Sequence, residues 1–133
     1  MYKINQDIHK NLVTIDITGE VDASMVRRLL DDLNEGRKVF KAGYSAVIKL
    51  GKDLDFVDSM FAAMDLTAFK AKVASIHKVA IQVPFENKRS RVTAEKLLSL
   101  YARSEIKAQI TETQIETNKW LEIYKARIGK SKK

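Results

Sequence analysis

The chain predicts an α/β fold: a four- to five-stranded mixed sheet, an N-terminal hairpin followed by parallel strands, with four helices. The element order is β-β-α-β-α-β-α-β-α. Three observations predict it. Residues 12–18 alternate in polarity, which sets Val13, Ile15 and Ile17 on one face, as in a half-buried strand. Apolar runs at 46–50 and 78–83 are short and bounded by turn residues, as in strands buried on both faces. Single stretches of helical periodicity separate these runs, and strands alternating with single helices make a mostly parallel sheet with right-handed crossovers.

Taken in order, Tyr2–Ile8 reads as the first strand, and a turn near His9-Lys10-Asn11 leads into Leu12–Thr18, closing a hairpin. Asp22 or Ser24 caps a helix running to about Glu35. Its apolar stripe is Val26, Leu29, Leu30 and Leu33, and Gly36 stops it. Ala46–Leu50 is a central strand. A second helix is predicted from Ser59 to about Val73, with Phe61, Met64 and Ala68 on one stripe and Phe69 and Val73 extending it. Lys78–Val83 is the next strand, ended by Pro84. A third helix covers Arg89–Ala102 and a short strand Ile106–Ile110. Thr113-Gln114-Ile115-Glu116 is a capping box, opening a last helix through Trp120, Leu121 and Tyr124. Residues 1–128 are read as one domain and 129–133 as a basic, disordered tail.

Composition narrows the function classes. With 133 residues the chain buries a core without staples, and it has no cysteine, which removes disulfides, thiolate chemistry and zinc–sulfur sites. No apolar run approaches the roughly 18 residues of a membrane span. Met1–Gln6 turns polar at once, unlike a signal peptide, so a bacterial, cytoplasmic protein is the expectation. The net charge of +7 is uneven: Lys125, Arg127, Lys130, Lys132 and Lys133 carry five of those charges, leaving the rest near balance. Such a tail is expected to be solvated, with peripheral contact to anionic lipid as the alternative. Aromatic–basic interleaving of the kind that stacks bases is missing, so no specific nucleic acid is expected.

Few side chains carry a chemical signature. No nucleophile–base pairing, phosphate loop or dinucleotide fingerprint is present, so the chain is read as non-enzymatic and without a cofactor. Asp53, Asp55 and Asp58 lack the glycine and bidentate glutamate of a calcium loop, so no metal site is expected. His9 and His77 read as surface or strand-end residues, and Trp120 as packing. Asn87–Arg91 reads as a solvated loop, with anion binding at the following helix as the alternative.

Two strand-to-helix turns stand out. Thr18-Gly19-Glu20-Val21-Asp22 follows the second strand, and Phe56-Val57-Asp58-Ser59 precedes the second helix. Together, in this element order, they resemble the signature turns of STAS domains, the family of anti-sigma factor antagonists typified by SpoIIAA, over roughly residues 1–124. That family's antagonists continue with Ser or Thr and then Gly-Leu-Gly where this chain has Met60-Phe61-Ala62-Ala63. The closing Asn118-Lys119-Trp120-Leu121 is more similar to the broader SpoIIAA-like family, whose members are related in shape to lipid-binding domains of the Sec14 type.

The resemblance implies a protein-interaction module whose partner is an anti-sigma factor that is also a kinase. It implies Ser59 as the phosphoacceptor and a docking surface of Asp22, Asp58, Ser59 and Met60. A helix N-terminus favours a phosphoserine, whereas Asp22, Asp55 and Asp58 would repel its charge of about −1.5 to −2. The local alternatives are plainer: Ser59 and Asp22 as N-caps. A second function class is binding of a small apolar ligand through Met60, Phe61, Met64 and Phe69, for which core packing is the simpler role.

Overall fold

The computed structural model describes residues 2–36, 43–51, 55–56, 76–83, 88–103 and 105–122. β1 (Tyr2–Asp7) and β2 (Leu12–Ile17) form the expected antiparallel hairpin, with Tyr2 opposite Ile17 and Asp7 opposite Leu12. Its turn is set locally. The Lys10 amide donates to Asp7 Oδ1 at 3.1 Å, and Asn11 takes φ 52°, a left-handed conformation that asparagine tolerates.

A two-residue strand, β3 (Glu20–Val21), precedes α1 (Ala23–Gly36). β4 (Ser45–Leu50), the two-residue β5 (Asp55–Phe56) and β6 (Lys78–Gln82) follow. The chain then forms α2 (Lys88–Arg103), β7 (Lys107–Thr111) and α3 (Gln114–Trp120). The main sheet has the order β1-β2-β4-β6-β7, and β2, β4, β6 and β7 are parallel. Ile17, Leu50, Gln82 and Thr111 therefore end their strands at the same end of the sheet.

The two sheet faces differ. Val13, Ile15, Ile48, Leu50, Ile81 and Val83 share the larger core with Met25, Val26 and Leu29 of α1 and Ala94, Leu97 and Tyr101 of α2. On the opposite face Val47, Ala80 and Leu121 make a smaller cluster, with Leu12 and Trp120 packed against it. Interleaved residues of β4 thus enter both clusters, which is why that strand reads as a continuous apolar run. Among the described residues no helix is long and apolar enough to cross a membrane.

Several boundaries move. The last strand covers 107–111, and the third predicted helix starts one residue earlier, at Lys88. Lys88–Arg91 is thus helix rather than solvated loop: Ser90 is fully buried and its hydroxyl donates to the Gly51 carbonyl at 2.9 Å. The capping box is present as read. The Glu116 amide donates to Thr113 Oγ1 at 3.1 Å, and Glu116 Oε1 accepts from the Thr113 amide at 3.2 Å. The helix it opens ends at Trp120, with Leu121 as its C-cap instead of a further helical residue, and Tyr124 lies outside the described residues. Lys78 Nζ takes the Trp120 carbonyl at 3.0 Å, and Glu122 turns left-handed at φ 60°. The second predicted helix, 59–73, and the tail, 129–133, lie outside the described residues, where three helices are found.

Candidate functional site

The short strands β3 and β5 position the site. They pair in parallel, Glu20 with Asp55 and Val21 with Phe56, as a separate two-stranded sheet. The first lies within the 18–22 turn and the second ends at Phe56, the first residue of the 56–59 segment, so the pairing sets Val21 beside Phe56. Gly19 makes the first turn possible: it sits at φ 72°, where an L side chain would crowd its own carbonyl. Val21, 2% exposed, anchors the turn in the core.

Asp22 follows at the helix entrance. Its Oδ1 accepts the Met25 amide at 2.8 Å while its carbonyl accepts the Val26 amide at 3.1 Å, so Asp22 is the N-cap of α1. Ser24 is exposed and inside the helix, so the choice between the two candidates goes to Asp22. The cap residue also borders a cleft of about 310 Å³ lined by Tyr2, Glu20, Asp22, Met25 and Arg28. Among the described residues its walls carry two carboxylates, one guanidinium, a phenol and the Met25 side chain, a recess of mixed polar and apolar character.

The phenol is held from behind. Tyr2 donates its hydroxyl hydrogen bond to Asp32 Oδ2. That bond to a carboxylate, helped by burial and by the Asp32 charge and opposed by Arg28, raises the Tyr2 pKa above its usual 10.0. At neutral pH the phenol is a neutral donor. Asp58, Ser59 and Met60 lie outside the described residues, so of the predicted docking residues Asp22 alone is placed.

Tyr2 and Arg28 are additions that sequence reasoning missed. A signal existed for the first: the hairpin register puts Tyr2 opposite Ile17, directly before the 18–22 turn. Arg28 follows from the helical stripe, since burying Met25, Val26 and Leu29 turns Arg27 and Arg28 outward. His9 and His77 are exposed, and among the described residues no three His, Cys, Asp or Glu side chains are grouped to hold a metal. Neither a protein-family model nor a curated protein matches this chain.

Proposed function

We propose that this chain is a non-enzymatic, STAS-like interaction module of the SpoIIAA-like kind. It recognises a protein partner through the surface where its two strand-to-helix turns meet. Asp22, Asp58, Ser59 and Met60 form the docking residues, and Ser59 is the position at which a phosphate switches docking. In the family this chain resembles, the partner is an anti-sigma factor with kinase activity. The β3–β5 pairing carries the proposal, because it aligns the turn ending in Asp22 with the segment that runs on to Asp58 and Ser59. The adjoining cleft, with Glu20, Asp22 and Arg28 on its walls, offers charges of both signs to a polar partner surface.

The test is affinity purification from host extract with wild type, Ser59→Ala, Ser59→Asp and Asp22→Asn, each checked by a thermal melt. Asparagine caps a helix as well as aspartate does, so Asp22→Asn removes the charge while keeping the cap. A partner held by wild type and Ser59→Ala, and released by Ser59→Asp and Asp22→Asn with unchanged melts, is expected. The same partner profile from all four proteins overturns the proposal.

A further inference from the structure

A second cleft, of about 240 Å³, lies at the carboxyl end of the parallel strands, among Asp16, Thr18, Lys49, Gly51, Gln82 and Glu112. Its polar groups form a row, because Asp16 is the register partner of Lys49 and Lys49 of Gln82. Asp16 and Lys49 are half-buried, yet the side chain of neither makes a hydrogen bond or ion pair with a described residue. Two opposite charges stand side by side on adjacent strands without closing on each other.

Gln82 is oriented by a relay behind it. Thr117 Oγ1 donates to Gln82 Oε1 at 2.8 Å and lies 2.6 Å from Thr111 Oγ1. A hydroxyl has one proton to give, and Thr117 has given its own, so Thr111 is the donor in the second contact. With its oxygen committed to Thr117, Gln82 has its amide nitrogen left for the cleft. Lys49 and Gln82 then present donors, and Asp16 an acceptor carboxylate beside them. Glu112 is already compensated by the Arg91 guanidinium at 3.5 Å. Ile17 and Leu50 also border the cleft, but Leu50 is 2% exposed and packs in the larger core on the opposite sheet face.

We infer that this cleft binds the zwitterionic head of a free α-amino acid. The ligand's carboxylate sits on Lys49 and the Gln82 amide, and its ammonium on Asp16. Size agrees: at about 240 Å³ the cleft falls below the roughly 300–1,000 Å³ of sites for drug-sized ligands. The inference stands apart from the docking proposal.

Nitrogen-15 NMR titration of the full chain with L-leucine, N-acetyl-L-leucine and L-leucinamide tests it. L-Leucine is expected to give saturable shifts at the amides of Thr18, Gly51 and Glu112. Each analogue, lacking one charge, binds at least about tenfold more weakly. Lys49→Met abolishes the preference for leucine over leucinamide, and Asp16→Asn abolishes the preference over N-acetyl-leucine. No saturable shift with leucine, or a Lys49→Met protein that weakens leucine and leucinamide equally, overturns the inference. Partner recovery is a separate readout, so either proposal can fail while the other stands.

Discussion

Thr117→Val isolates the relay that orients Gln82. Valine matches threonine in shape and helix propensity, so the substitution opens no cavity and leaves α3 intact. What it removes is the hydroxyl joining Thr111 to Gln82, at a residue with 0% exposure. Among the described residues every buried side-chain nitrogen and oxygen has a partner. The substitution breaks that condition at Thr111 Oγ1, whose residue is 1% exposed and out of reach of water. Orphaning a buried hydroxyl costs about 1–3 kcal/mol, whereas half-exposed Gln82 recovers a bond from solvent. For 133 residues the unfolding entropy near the midpoint is about 0.28 kcal/mol/K, so the melt falls by about 4–10 °C.

The double variant Thr111→Val/Thr117→Val decides whether pairing is the cause. Replacing both hydroxyls leaves no orphan, so its loss is smaller than the sum of the two single losses by about 1 kcal/mol or more. Urea unfolding of the four proteins in the cycle measures that coupling. A coupling below about 0.3–0.5 kcal/mol, the range in which independent sites add, refutes the relay.

Three further outcomes follow from the same geometry. Lys78→Met keeps the stem but loses the donor that meets the Trp120 carbonyl and Glu122 and lies 4.5 Å from the indole centre. With the lysine side chain 12% exposed and Glu122 57% exposed, Lys78→Met should cost about 1–3 kcal/mol and Glu122→Gln under about 1. Emission from Trp120, the single tryptophan, should shift red only in the first, and equal losses would contradict the carbonyl's role. Asp22→Ala should cost about 0.5–2 kcal/mol in urea melts and Asp22→Asn little, whereas equal losses would mean that charge matters more than the cap. Tyr2 has its pKa raised in the folded state, so its contribution is complete below about pH 10 and lost as pH rises through the folded value. Tyr2→Phe should flatten the decline in urea midpoint above about pH 10; an unchanged slope would remove Tyr2 as its source.

The elements that could be read in the sequence are those whose packing repeats. Val13 and Ile15 alternate because one face of β2 is core, and Met25, Val26 and Leu29 are spaced as a helix burying one side. Thr113 and Glu116 are legible because a capping box depends on spacing alone. β3 and β5 escape for the opposite reason: two residues cannot show an alternation, and their pairing joins positions 35 residues apart. The end of α3 escapes because it is set by Lys78, 42 residues upstream of Trp120. Asp22 was legible as a cap, but its cleft needed the hairpin register that brings Tyr2 alongside. The second cleft gave no sequence signal, since Asp16, Lys49 and Gln82 meet only through strand order.

Lys49 shows why that row belongs to a site rather than to surface chance. Of the six residues in β4, five are buried and only Lys49 is half-exposed. A parallel strand flanked on both sides needs apolar residues on both faces unless the cover stops short. It does stop short among the described elements. α3 has seven residues, about 10 Å of helix, whereas five strands span about 19 Å between their outer axes. The helix covers Val47 and Ala80 and leaves the next position along each strand, Lys49 and Gln82, beside the cleft. Departures from local rules of burial concentrate at functional positions. The threonine relay makes the neighbouring Gln82 present a donor beside that ammonium, which a solvated surface residue would not need.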